Sequence, residues 1–386
     1  MGRSHMPRHP ARRQPTRPDR AHAPGPVMLR SMARLRWRIS HLPPIPTGCA
    51  LFLTGHHRAW SSEPAGWTFD PAGELTSEHP DGTLLSVKVR ARHPDSTVTE
   101  EGDAWGGRAA PHRHVVTGDA ILDLHVAGWQ DASEGRGRPA RSAPPREETA
   151  LEAPWGEQPV RLWWPAGHDG PLPLLILHDG QNAFDETPTF AGESWDAAGA
   201  AQALADAGHP VRIAALPVNH DRNRRYVPFP FELNGHDSGA DEYADWIGGT
   251  LLPHLHARFG PVPAQDTALA GSSFGGLITA YAGLRDPGTY GTLGVFSPVV
   301  WPADHAFLRW MTGRGDPHAR VWVDMGDHEG GTLTASRDLV TRTRDLSTQL
   351  APQVREARFS VGAGHWHDEP AWRERLPAFL RWWRGG

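Results

Sequence analysis

The sequence predicts an α/β protein preceded by a small all-β, immunoglobulin-like sandwich. Three observations carry this. Between Ile39 and Ala132 only short strand patterns and turn signals occur. From residue 151 onward, apolar strand runs alternate with helix-length segments, the signature of an open, mostly parallel sheet with helices on both faces. Residues 133–150 in between are Gly, Pro and charge with no hydrophobic anchor, and read as a linker.

Residues 1–38 are rich in Arg, Pro and His and show almost no apolar periodicity, so disorder is expected there. The opening MGRSHM resembles a tag remnant, which leaves Met28 or Met32 as a true start. In the sandwich, Cys49–Leu53, Leu84–Val89 and Ala120–Val126 fit half-buried strands. Leu122, Leu124 and Val126 share one face of the last, Asp123 and His125 the other. Asp81-Gly82 and Thr117-Gly118-Asp119 mark turns.

In the second part, Leu172–His178 is a continuous apolar run of the kind buried on both faces of a parallel sheet. Helix Ser194–Ala207 and strand Val211–Pro217 follow, then a helix over Tyr243–Phe259 that Gly248-Gly249 weakens. Further strands are expected at Thr267–Ala270, Thr292–Phe296, Val321–Met325 and Ala357–Val361. The chain closes on a helix with Leu376, Phe379, Leu380 and Trp383 on one face.

The chain has 386 residues and a formal charge of −5, and its mixed signs argue against nucleic-acid or membrane-surface binding. Its one cysteine, Cys49, excludes an intrachain disulfide and any multi-cysteine metal site. No stretch is apolar enough to span a bilayer and no secretory signal is seen, so a cytoplasmic location is expected. The 17 tryptophans suit aromatic-lined clefts and buried cores equally.

Gly271-Ser272-Ser273-Phe274-Gly275 matches GxSxG in the one register that makes Ser273 the central residue. The apolar strand before it and the helix-competent Gly276–Tyr281 after it supply the strand–turn–helix setting of a nucleophile elbow on an α/β-hydrolase sheet. A serine hydroxyl needs a base, itself oriented by an acid, and in this fold the order is Ser, acid, His. The strand Arg320–Val323 runs into Asp324-Met325-Gly326-Asp327-His328-Glu329-Gly330, which offers three carboxylates, Asp324, Asp327 and Glu329, as the acid. The last strand runs into Gly362-Ala363-Gly364-His365-Trp366-His367. His365 is the expected base because the glycines before it let its backbone approach the elbow, whereas His367 reads as a first-turn or surface residue of the last helix. The oxyanion donors expected are the N–H of Phe274 and that of Gln181, in the loop His178-Asp179-Gly180-Gln181-Asn182. Within that loop His178 and Asp179 are further substrate-contact candidates, and the spacing matches no metal motif.

Five segments in order resemble the Putative esterase family, which includes enterochelin, feruloyl and acetylxylan esterases and S-formylglutathione hydrolases. They are Leu177–Asp185, Asp221–Pro228, the elbow, Val323–Gly330, and Gly364-His365 with Ala371–Pro377. The resemblance implies a carboxylic-ester hydrolase working through a serine acyl-enzyme on a small-molecule ester, siderophore-type or short acyl, with no metal or cofactor required. It selects Glu329 over Asp327, three residues after the strand-ending glycine. It also makes Arg224 and Arg225 candidates for an acidic or polar substrate group. The sandwich resembles starch-binding domains through Leu53-Thr54-Gly55 leading to Trp60, Val87-Lys88-Val89 and Ala127-Gly128-Trp129. Carbohydrate is therefore a second candidate partner, with Trp60, Trp67 and Trp105 as platforms, although a domain that shapes the esterase cleft is the better expectation. The rivals are a carbohydrate acyl esterase, a glycan-binding protein with a degenerate hydrolase domain, and an acyltransferase using the same residues.

Overall fold

The computed structural model describes residues 31–131, 135–139, 141–186, 189, 191–218 and 220–385. The first part holds eight strands: β1 Met32–His41, β2 Ala50–Gly55, β3 Glu74–Pro80, β4 Leu84–Arg92, β5 Val98–Gly102, β6 His112–Val115, β7 Ala120–His125 and β8 Gly128–Trp129. They form a three-stranded sheet ordered β3-β1-β7 and a second sheet ordered β2-β4-β5-β8, with β6 also on β4. Both sheets contribute to one buried cluster, including Leu35 and Trp37 of β1, Leu53 of β2, Val87 and Val89 of β4 and Leu124 of β7.

Strand β1 corrects the expectation of disorder to residue 38. Ala33, Leu35 and Trp37 are buried while Arg34, Arg36 and Arg38 alternate outward, a period of two set by the pleat. The outward arginines pair with Glu78, Glu74 and Asp123 of the flanking strands. Residues 1–30, with Met28, lie outside the described residues.

The second part has strands β9 Glu147–Ala153, β10 Gly156–Trp163, β11 Leu174–His178, β12 Arg212–Leu216, β13 Thr267–Ser272, β14 Thr292–Phe296, β15 Arg320–Gly326 and β16 Glu356–Gly362. The sheet order is β16-β15-β14-β13-β11-β12-β10-β9. The six strands from β11 to β16 run parallel, and β9 and β10 form an antiparallel edge. The helices are α1 Ala197–Asp206, α2 Arg222–Tyr226, α3 Ala240–Trp246, α4 Leu252–Phe259, α5 Phe274–Arg285, α6 Pro302–Trp310, α7 Leu333–Leu350 and α8 Glu369–Gly385. Leu174 and Ile176 of β11 face a core shared with α3, α4, α5 and α7, while Leu175 and Leu177 face one shared with α1 and α8. Helices therefore cover both faces, and the continuous apolar run of β11 follows from burial on each side. Between α3 and α4 the chain makes a π-helical turn over Ile247–Leu251, where Gly248-Gly249 loosen the ladder without ending it.

The expected linker is correspondingly short. Strand β9 occupies its last residues, and Arg138 hydrogen-bonds the Gly192 carbonyl and pairs with Asp103 at 3.0 Å, tying the connection to both parts. Residues 133, 134 and 140 lie outside the described residues.

The two parts also meet at the carboxyl end of the parallel sheet. Leu84 N–H donates to Gly331 O at 3.1 Å and Leu333 N–H to Gly82 O at 2.8 Å, around a bridge between Thr83 and Thr332. Beside this, Arg113 pairs with Asp368 and lies 5.7 Å over the Trp366 ring. The loops after β15 and β16 are thus held from the N-terminal sheets.

Candidate active site

Strand β13 ends at Ser272 and α5 begins at Phe274, so Ser273 alone makes the turn, with φ 60° and ψ −122°. A non-glycine residue in that conformation is strained and must be held by its surroundings. Ser273 N–H donates to Phe296 O at 3.0 Å, and its carbonyl accepts from Leu277 and Val299. Glycines make the turn possible: a Cβ on Gly271 would stand 2.8 Å from the Gly275 backbone, and one on Gly276 2.8 Å from the Phe296 carbonyl. Phe274 opens α5, so its N–H has no acceptor within the helix.

Ser273 opens into a cleft of about 590 Å³ lined also by Asp179, Gln181, Arg222, His367 and Glu369. The histidine that reaches this cleft is His367, not His365. The Gly362–Gly364 turn folds the His365 ring back against Gly362, and its Nε2 meets Glu374 of α8 at 3.1 Å. Two residues later, His367 Nδ1 donates to Glu329 Oε2 at 2.7 Å. The contact that separates them is the capping turn of α8, where Asp368 Oδ1 accepts from Ala371 N–H at 3.2 Å.

Of the three carboxylates, Glu329 meets the histidine. Asp327 accepts from His328 Nδ1 and from Gly364 N–H at 2.7 Å, bracing the turn after β16. Glu329 is buried, and its Oε1 accepts from Ser297 Oγ and Gly326 N–H, both at 2.6 Å, and from Arg375 at 3.2 Å. Burial alone would push its carboxyl up, but His367, Arg375 and Ser297 outweigh that and hold it below the ordinary range. Arg375 also bonds Asp324 at 2.8 Å, and Trp372 Nε1 donates to Ser297 Oγ at 3.0 Å. Burial raises the Asp324 carboxyl, with Arg375 opposing it. Ser297 and Arg375 hold Glu329 and Trp372 holds Ser297, yet no spacing rule in the sequence singles them out.

The loop after β11 lines the cleft through Asp179, Gln181 and Asn182. Gln181 holds Val218 N–H through its side-chain oxygen at 2.9 Å. Asp179, at φ 54°, takes a two-pronged bond from Arg222 at 2.7 and 2.8 Å. His178 turns away into the core: its Nδ1 meets Tyr243 Oη at 2.9 Å, and burial lowers its pKa to about 3, so the ring is neutral.

Arg224 and Arg225 do not reach the cleft. Arg224 pairs with Asp237 at 2.7 Å on the surface, and Arg225 is buried between Gln158, Asp221 and the Trp155 ring. Helix α2 is a little over one turn long, so Arg222 and Tyr226 share the face toward Asp179 while the two middle arginines point elsewhere. Glu369, at the start of α8, was also unmarked by sequence. Its Oε1 accepts from Asn182 at 2.9 Å and its Oε2 is buried without a hydrogen-bond partner. Burial, with Asp368 and Asp179 nearby, raises it to about 7 against the opposing effects of its own backbone N–H and His367. The expected sugar platforms are scattered: Trp67 packs against the N-terminal core, Trp105 is 46% exposed and Trp60 faces the esterase half.

Comparison with known proteins agrees with this architecture. The family model described as Putative esterase matches residues 156–383. The chain belongs to that family. Among curated relatives, the siderophore triacetylfusarinine C esterase of Aspergillus fumigatus is 31% identical over 41% of this chain and 57% of its own length. The iron(III) enterobactin esterase of Dickeya dadantii is 28% identical over 54% of this chain and 47% of its own. The chain thus spans about half the length of these esterases. The enterobactin esterase FES of Shigella flexneri, solved in the presence of 2,3-di-hydroxy-N-benzoyl-glycine, is similar in fold. Its TM-score is 0.55 at 15% identity, over 91% of this chain and 92% of that one. Within the family frame, no helix among the described residues of this member is long and apolar enough to cross a membrane.

Proposed function

We propose that the protein is a carboxylic-ester hydrolase in which Ser273 is the nucleophile, His367 the general base and Glu329 the acid that orients it. The observation that carries the reading is the 2.7 Å bond between His367 and a buried Glu329, on the wall of the cleft into which the strained Ser273 turn opens. In this reading Ser273 Oγ attacks the ester carbonyl as His367 takes its proton, and Glu329 stabilises the imidazolium that forms. The N–H groups of Phe274 and Gln181 hold the tetrahedral oxyanion. His367 then gives the proton to the leaving alcohol, and water, deprotonated by His367, releases the acid from the acyl-enzyme. The curated relatives support a siderophore-type ester as substrate. From the N-terminal part, Arg108, between β5 and β6, contributes to the lining of the cleft.

The test is fluorophosphonate labelling together with turnover of p-nitrophenyl, acylated-sugar and siderophore-type esters. Wild type should label and turn over, while Ser273→Ala should do neither. A folded wild type that neither labels nor hydrolyses any of these esters would sink the reading.

A further inference from the structure

We propose that Glu369 is a positioning residue for the hydrolysis. Through its bond to Asn182 it latches the turn that carries His367 to the loop that carries Gln181, so that base and oxyanion donor keep one spacing. The inference rests on the reading of Ser273 as the nucleophile and His367 as the base.

The two segments are far apart in the chain. His367 lies just before α8, whose first residue is Glu369, and Gln181 lies in the loop after β11. Asn182 Nδ2 donates to Glu369 Oε1 at 2.9 Å across 187 residues of sequence. Each end of this bond is anchored. Asn182 N–H donates to the Asp179 carbonyl, and the Asn182 carbonyl accepts from Trp195 N–H, both at 2.8 Å. Beside Glu369, Asp368 accepts from Ala371 N–H through Oδ1 at 3.2 Å and from Trp372 N–H through its carbonyl at 3.1 Å. The latch therefore ends one residue from Gln181 and two from His367. Misplacing such a group by about 1 Å costs on the order of a hundredfold in rate.

The state of the carboxyl follows from what surrounds it. Its Oε2 is buried without a hydrogen-bond partner. The charged groups around it are already engaged. In the loop after β11, Asp179 is held by Arg222 of α2; in its own turn, Asp368 is paired with Arg113 and His367 with Glu329. Arg108 also lines the cleft, and its guanidinium bonds the Thr189 carbonyl at 3.4 Å. An ionised Glu369 would thus be a buried anion with a bare oxygen, near two other carboxylates.

A neutral acid avoids this and still accepts from Asn182 through Oε1, with its proton on Oε2. Burial, then Asp368 and Asp179, keep that proton on up to about pH 7, against the pull of its own backbone N–H and His367. Above that pH the closed latch holds a buried charge, which opening the contact to water would relieve. The spacing of base and donor therefore loosens as pH rises through this point.

The test uses the full chain and two readouts. The first is kcat and KM on an ester that wild type hydrolyses. Glu369→Ala and Asn182→Ala should each lower kcat about tenfold or more, with KM moved less than about threefold. The double variant should be no slower than the slower single one, because both remove the same contact. Glu369→Gln keeps an acceptor for Asn182 but has no proton to lose. It should recover kcat relative to Glu369→Ala at pH 6, and its kcat relative to wild type should rise severalfold between pH 6 and pH 8.5. The second readout is amide hydrogen exchange at residues 179–183, which should quicken in both alanine variants. Losses that multiply in the double variant, a glutamine-to-wild-type ratio that is flat with pH, or unchanged exchange in both alanine variants would each overturn the proposal. If exchange quickens as stated but wild type hydrolyses no ester, the contact between turn and loop stands and the hydrolase reading fails.

Discussion

Replacing Glu369 with glutamine should make the protein more stable, and more so the higher the pH up to neutrality. The carboxyl is 4% exposed, and burial holds it near 7 instead of 4.5. Asp179 and Asp368 push the same way, while His367 and its own backbone N–H pull it down; Arg222 also lies within electrostatic reach. Between about pH 4.5 and 7 the unfolded chain has released this proton and the folded chain retains it. The folded state therefore binds more protons, and stability falls as pH rises through that window, then levels off. The difference between the two values corresponds to about 3 kcal/mol by pH 8. Glutamine has no proton to lose, and its Oε1 can still accept from Asn182. Urea unfolding followed by tryptophan fluorescence at pH 5, 6, 7 and 8 would measure this. The variant's advantage should be small at pH 5 and grow to the order of 3 kcal/mol by pH 8. An advantage that is the same at both ends of the range would refute the reasoning.

Three further outcomes are expected. His367→Ala should lower kcat about a thousandfold or more, whereas His365→Ala, which loses only its contact with Glu374, should stay within a few-fold on the same ester assay. Glu329→Gln should lower kcat/KM on the order of 10³-fold because the imidazolium loses its counter-charge, while Asp327→Asn should leave the pH–rate profile in place. Arg222→Ala strands the buried Asp179 carboxylate without its partner and should cost about 3 kcal/mol in chemical unfolding, with Arg222→Lys recovering part of it.

The sequence made the parallel sheet and the elbow legible because both depend on local letters. Strands β11 to β14 are short apolar runs that few other structures would bury, and the glycines around Ser273 mark where a strand and a helix touch. Strand β1 was equally regular, with Ala33, Leu35 and Trp37 alternating with arginines, but its composition resembles a disordered segment. Helix α7 went unmarked because only Ser336, Thr343, Leu346, Ser347 and Leu350 are buried along its 18 residues, too sparse an apolar stripe to show a period. The site residues failed differently. The resemblance favours Glu329, the carboxylate that meets His367, but the choice between His365 and His367 depends on how a three-residue turn closes onto α8. The choice among Arg222, Arg224 and Arg225 depends on the azimuth of a single helical turn. Neither has a periodic signal, and what separates the two histidines is the bond from His367 to Glu329 while His365 turns to Glu374.

The contacts that cross from the N-terminal sheets have a consequence for anyone who would recombine these modules. A chain cut back to residues 147–386 would keep Ser273, His367 and Glu329. It would also leave the Gly331 carbonyl and Leu333 N–H without their backbone partners, and the Asp368 carboxylate without its guanidinium. Grafting a foreign first module would face the same gap unless it brought an arginine and a strand start to those places. The seam between the modules is in this sense part of the inheritance of the active site: a productive chimera has to carry Thr83, Arg113, Thr332 and Asp368 across as one unit.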